Sequence, residues 1–290
     1  MGERIGVVSG LWRYPVKSMQ GEQVDPAVAG ERGLAGDRQW AVIDEETGKI
    51  ASAKRPKLWG TMLECAAAYA EEPVADGDAA ALRITLPDGR EVRSDDPDCD
   101  RLLSEALGRP VTLRSSAPED ATYELNAQDA EGLQVPDPER LTETQVAKFA
   151  PAGTFFDTST LHVLPTSSLE TLSRAHPDGQ WDRRRFRPNV VVELDDPPGD
   201  GFAENDWAGH SLELGADARV AVLAPMPRCV MTTVPQGDLP RDPLILRTLA
   251  EQNRVELPGY GSYACVGVLA NVSEPGTLAV GDEVALGGQL

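Results

Sequence analysis

The sequence predicts an α+β protein dominated by strands, with a barrel-like N-terminal domain, a second barrel-type domain and a few helices. Three observations predict it. Short runs rich in valine, leucine, isoleucine and alanine recur between turn residues roughly every 10 to 20 positions, the pattern of barrels and sandwiches. Helical periodicity is confined to a few short stretches. Neither GxGxxG behind a strand nor GxxxxGK(S/T) occurs, and no fixed repeat is present, so Rossmann, P-loop and solenoid layouts drop out.

Taken in order, GVVSGLWRYPV reads as a strand, and RQWAVIDEETGKIAS as strand segments around a turn at Glu46 to Gly48. ALRITLPDGREVRS carries the hairpin signal Asp88-Gly89. DPDCDRLLSEALGR is a helix, capped by Asp95 or Asp98, striped by Leu102, Leu103 and Leu107, and stopped at Gly108. From Ala117 to about Arg140 the chain is acidic, rich in Pro, Asp and Glu and without period, the composition of a solvated connection. We therefore expect an N-terminal domain over 1–116, a connection over 117–140 and a second domain over 141–290. In the second come the apolar run LHVLP, the helix SSLETLSRAHP, the strand NVVVEL, a strand pair in LELGADARVAVLAP and the helix DPLILRTLAEQN. The tail, YACVGVLANV and TLAVGDEVAL, returns to strand.

Composition limits function. Forty-seven acidic against 27 basic residues give a formal charge of −20, which repels nucleic acid and anionic membrane surfaces. No run approaches the roughly 20 apolar residues of a membrane span, and the first residues lack a signal peptide's apolar stretch, so a cytosolic protein is expected. Cys65, Cys99, Cys229 and Cys265 form no CxxC pair, which argues against disulfides in a reducing compartment. With three histidines and no HExxH, a metal would arrive inside a cofactor rather than be held by protein side chains alone.

In so acidic a chain, cationic clusters are informative. Cys229 lies in APMPRCVMTTVPQGD, where Arg228 is an adjacent cation that favours the thiolate and Thr232 and Thr233 offer hydroxyls. The same residue also fits a buried cysteine acting as a small hydrophobe, as Cys65 and Cys265 do with apolar neighbours. RRRFRPN sets four arginines before a strand, suited to clamping a phosphate or, equally, to a solvated salt-bridged face. LWRYPVKS presents Lys17 and Ser18 after Pro15, and GLAGDRQW presents Arg38. Lys54, Arg55 and Lys57 read as a solvated rim. Asp157, ahead of Thr158 and Ser159, is a pocket acid or an Asx-turn residue.

The order of YPVKS, GDRQWAVID, FFDTSTLHVLPTSSL, FRPN, RCVMTTV and EPGTLAVGD resembles the MOSC family of molybdenum proteins with its N-terminal β-barrel domain, over roughly residues 5 to 287. The resemblance implies a molybdenum cofactor, a molybdopterin, ligated by Cys229. It implies that Lys17, Ser18 and Arg38 from the first domain and Arg187, Asn189, Arg228 and Thr232 from the second hold the pterin and phosphate, with Asp157, Thr158 and Tyr263 nearby. A soft thiolate suits molybdenum already held by dithiolene sulfurs. The activity implied is two-electron reduction of small N-hydroxylated substrates, with Asp157 orienting water or relaying a proton. Relatives carry a membrane anchor or a ferredoxin module that this sequence lacks, and Met19 follows VKS where relatives often have another small or sulfur-bearing residue. The electron donor is therefore expected to be a separate protein, a ferredoxin or a cytochrome b5-like protein with its reductase. A sulfur carrier or cofactor-handling protein using Cys229 as a persulfide, and a non-catalytic binding module, are the competing readings.

Overall fold

The computed structural model describes residues 2–126 and 141–290. Its centre is a closed ring of seven strands in the order Leu161–Pro165, Val190–Leu194, Glu3–Arg13, Glu283–Gln289, His210–Leu214, Ala218–Pro227 and Gly261–Glu274, the last pairing back to the first. All contacts in the ring are antiparallel except that between Leu161–Pro165 and Val190–Leu194. Closure leaves the ring no free edge. Its interior is filled by fully buried aliphatic side chains including Val8, Leu11, Val163, Val192, Leu212, Val220, Val268 and Val284.

The strand Glu3–Arg13 belongs to this ring although it opens the first half of the chain, and Ala27–Gly30 pairs with Gly276–Leu278 near the other end. The two halves are thus interleaved rather than strung in series. The remainder of the first half forms small antiparallel sheets, Ala41–Asp44 with Val111–Arg114 and Ala66–Tyr69 with Leu82–Thr85 and Glu91–Arg93, around a core that includes Met19, Met62, Ile84 and Leu103.

The expected connection contains the strand Thr122–Asn126, which pairs with Leu141–Gln145 across residues outside those described. Polar composition concealed it because half of each strand faces water, where acidic residues are tolerated.

Local signals hold at the helices. Cys99–Leu107 buries Cys99, Leu103 and Leu107 and ends at Gly108, whose φ of 70° is the left-handed stop that glycine permits. Asp98 occupies the N-cap position, yet its carboxylate accepts from Arg101 at 3.1 Å instead of capping backbone. Helices Thr166–Ala175 and Leu244–Gln252 pack together against Leu164 and Val266. Among the described residues no helix is long and apolar enough to cross a membrane.

Candidate functional site

Backbone pairing between two separate motifs begins the site. Val16 bridges Trp40, Lys17 N–H donates to the Trp40 carbonyl at 2.9 Å, and Arg38 N–H donates to that of Tyr14 at 2.9 Å. YPVKS and GDRQW therefore run side by side and deliver Lys17, Ser18 and Arg38 to one place. Phe155 N–H donates to the Arg38 carbonyl, which seats the FFDTS segment beside them. Of five non-glycine residues with positive φ among those described, three are Ser18 (65°), Arg38 (46°) and Arg187 (56°). Conformations costing of order 1–3 kcal/mol each cluster where surrounding contacts aim side chains for a purpose.

From the second half, the strand Ala218–Pro227 carries Cys229 in past Pro225 and Pro227, where its pairing with Gly261–Glu274 is irregular. Proline cannot complete a ladder, so the chain leaves the sheet here. Cys229 then precedes a short turn, Val230–Thr233, and Thr232 Oγ1 donates to the Cys229 carbonyl at 3.0 Å. Buried Arg185 locks this turn from behind: its guanidinium donates to the carbonyls of Thr232 at 3.1 Å, Pro240 at 2.8 Å and Gln180 at 2.9 Å.

These segments enclose a cavity of about 410 Å3. Lys17, Ser18, Arg38, Asp157, Thr158, Arg187, Arg228, Cys229, Thr232 and Tyr263 all line it. Asn189 is the exception. It lies behind the wall, where its amide nitrogen donates to Asp37 at 2.9 Å and its oxygen accepts from Arg38 and the His162 N–H, so it positions the lining rather than forming it. Of the four cysteines only Cys229 is not buried. Burial pushes the thiols of Cys65 and Cys265 up to about 12 and that of Cys99 to about 11, which leaves them inert.

The arginine run divides its labour in a way its composition concealed. Arg183 lies 4.1 Å over the Trp12 ring, Arg184 pairs with Asp182 and Asp238, Arg185 clamps the Cys229 turn, and Arg187 reaches the Met19 carbonyl. Only Arg185 and Arg187 line the cavity. Tyr14 is held between Arg187 and Arg38, whose guanidinium carbons lie 4.3 and 4.6 Å from its ring centroid, so its π-face steadies two cations at close range.

Lys54, expected on a solvated rim, lies in the cavity instead. Ser18 Oγ accepts from Ala53 N–H at 3.1 Å and turns the loop inward. Lys54 Nζ then meets Asp157 at 2.9 Å and Tyr123 Oη at 3.1 Å. Lys17 Nζ binds the other Asp157 oxygen and the Phe155 carbonyl at 2.8 Å. Burial raises the Asp157 carboxyl, but the two ammonium groups outweigh it and hold its pKa well below the usual carboxylate range. Ionised in this way, the carboxylate holds the two ammonium groups in place. Burial lowers Lys17 to about 8 despite the Asp157 charge. His162, to which the sequence assigns no role, has a buried imidazole that also lines the cavity.

Among the described residues six cations, Lys17, Arg38, Lys54, Arg185, Arg187 and Arg228, thus line the cavity with one carboxylate, Asp157, in a chain of net charge −20. Arg228 donates through one nitrogen to the Phe186 carbonyl, while its buried Nε and Nη1 have no partner among the described residues. Burial lowers its pKa to about 10, which leaves it charged at neutral pH. Buried donors without acceptors are costly unless a ligand completes them. Among the described residues no group of three His, Cys, Asp or Glu side chains is placed to hold a metal by itself.

Beside a closed barrel, the one cysteine that is not buried thus lies in a cavity lined by cationic side chains. The MOSC domain matches residues 151–285 and the MOSC N-terminal beta barrel domain residues 5–150; the chain belongs to the MOSC family. It is 28% identical to mitochondrial amidoxime-reducing component 1 of Homo sapiens, over 99% of this chain and 85% of that protein. It is 26% identical to the molybdenum cofactor sulfurase of Danio rerio, over 96% of this chain and 34% of that longer protein. The YuaD protein from Bacillus subtilis aligns with 99% of this chain and 98% of its own at 13% identity and a TM-score of 0.46.

Proposed function

We propose that the cavity binds a molybdenum cofactor, with Cys229 Sγ as the protein's ligand to the metal, and that the protein reduces small N-hydroxylated compounds. The observation that carries this reading is the placing of the sole unburied cysteine beside Arg228 in a cavity lined by cationic side chains. The donor set fits the group. One thiolate suffices for a soft metal that brings its own sulfur ligands, and guanidinium forks match a phosphate. The names of the relatives, an amidoxime-reducing component and a molybdenum cofactor sulfurase, support the same chemistry.

In this reading Arg38, Arg187 and Arg228 bind the cofactor's phosphate and pterin with Lys17, Ser18, Thr158, Thr232 and Tyr263, while Asn189 and Tyr14 keep the arginines aimed. When bound, the cofactor supplies a two-electron redox centre. Asp157, pinned between Lys17 and Lys54, orients a water or substrate amine by accepting a hydrogen bond. Electrons come from a separate donor protein of the ferredoxin or cytochrome b5 type.

The test is metal analysis of wild type and Cys229→Ala made in a host with intact cofactor synthesis, with reduction of benzamidoxime by dithionite-reduced methyl viologen as the activity. Stoichiometric molybdenum in wild type, lost with the sulfur, is expected; equal molybdenum in both overturns the ligand assignment. The similarity to the sulfurase favours one second reading, a persulfide-bearing sulfur carrier. It predicts sulfane sulfur on Cys229 without molybdenum.

A further inference from the structure

Next to lining residues of the cavity, three exposed side chains from separate segments of the chain come together. Residues 147–149 run alongside 156–158: Ala147 N–H donates to the Phe156 carbonyl at 2.7 Å and Phe149 N–H to that of Thr158, a cavity residue, at 3.0 Å. Asn271 Nδ2 fixes the Phe149 carbonyl at 2.9 Å. Tyr263, also a cavity residue, donates its hydroxyl to the Tyr260 carbonyl at 3.0 Å. Phe149 and Tyr260 remain 48% and 55% exposed, so both rings meet solvent. Lys148 joins them, its Nζ 5.4 Å from the Phe149 ring centroid and 4.8 Å from that of Tyr260. Among the described residues Lys148 has no carboxylate partner, in a chain with 47 acidic residues.

We infer that Phe149, Lys148 and Tyr260 form a selecting mouth, which takes a flat aromatic body on its rings and favours an anionic substituent over a cationic one. The inference rests on the proposed reductase reading and adds the part of the substrate remote from the reacting nitrogen. Exposed ring faces offer offset stacking, and the ammonium between them attracts negative charge and repels positive charge where water screens it only partly.

The experiment uses the cofactor-loaded protein with acetamidoxime, benzamidoxime, 4-carboxybenzamidoxime and 4-(trimethylammoniomethyl)benzamidoxime. Dissociation constants for the last two are measured separately by calorimetry. In Tyr260→Ala the kcat/KM ratio of benzamidoxime to acetamidoxime falls up to about tenfold, through KM, since a stacked ring contributes up to about a decade. In Lys148→Glu the preference for carboxylate over ammonium shrinks by about tenfold or reverses, two modest exposed charge effects acting together. Ratios unchanged in both variants, with wild type active, overturn the mouth and leave the reductase intact. If wild type turns over nothing, the reaction is wrong, and the calorimetric constants decide the mouth: the same shifts sustain it, and equal constants in wild type and variants sink it.

Discussion

Replacing Asp157 by asparagine keeps the shape of the side chain and removes the one carboxylate among the six cations of the cavity. Lys17 retains the Phe155 carbonyl and Lys54 retains Tyr123 Oη, but both lose their counter-ion. Breaking a fully buried ion pair by deleting one partner costs about 3–5 kcal/mol. The Asp157 side chain is 32% exposed, so water screens part of this and about 2–3 kcal/mol is the expected loss. At roughly 2–4 °C per kcal/mol for a chain of this size, the melting temperature falls by about 5–10 °C. Calorimetric unfolding of wild type, Asp157→Asn and Asp157→Asn/Lys54→Met measures it, and the double variant recovers part of the loss because one stranded ammonium is gone. Acid supplies a further check. A carboxyl held below its ordinary value of 3.8 stabilises the fold above that pH and ceases to do so as pH falls through the depressed value, so the gap between wild type and Asp157→Asn closes in strong acid. A melting difference under about 1 °C near neutrality, or no recovery in the double variant, would refute the view of Asp157 as the counter-ion of two lysines.

Four further outcomes are expected. Arg185→Met leaves the Thr232, Pro240 and Gln180 carbonyls without their donor, lowers stability by about 3–5 kcal/mol and releases the Cys229 turn, read as faster proteolysis within 228–241. Lys17, lowered to about 8 from 10.5, penalises the fold fully below about pH 8 and less up to 10.5; wild type therefore gains stability relative to Lys17→Met over that window, by up to about 3 kcal/mol in paired melts. Gly267→Ala places a Cβ 2.3 Å from His162 Nε2 and 2.6 Å from the Val163 carbonyl at a φ of 70°, and chemical denaturation should show a loss above about 2 kcal/mol. Iodoacetamide added to native, cofactor-free protein alkylates one thiol, Cys229, and a mass spectrum showing Cys65 or Cys265 modified at a similar rate contradicts the burial assigned to them.

What was legible in the sequence follows from the range of the forces involved. Gly108 stops a helix by its own backbone freedom, and Leu103 and Leu107 mark its buried face, so local pattern was enough. The order of motifs brought most of the cavity lining together in advance. Side-chain direction in the arginine run was not legible, because four neighbouring guanidiniums are sent four ways by partners as distant as Trp12 and Pro240. Lys54 was misread for the same reason: its loop turns inward on a bond to Ser18, 35 residues earlier. Asn189 was assigned to the lining on its motif, but it serves one layer back. The strand at Thr122–Asn126 escaped notice because its partner begins at Leu141, across an acidic stretch.

The closure of the seven-strand ring also orders events during synthesis. Glu3 faces Leu286 across the ladder, so the earliest-made strand has no neighbour on one side until nearly the last residues leave the ribosome. Arg187 and Cys229 are delivered from walls of that same ring, and Lys17 lies just past its first strand. The strands that carry these cavity residues therefore gain their full set of neighbours only as the two ends of the chain zip together.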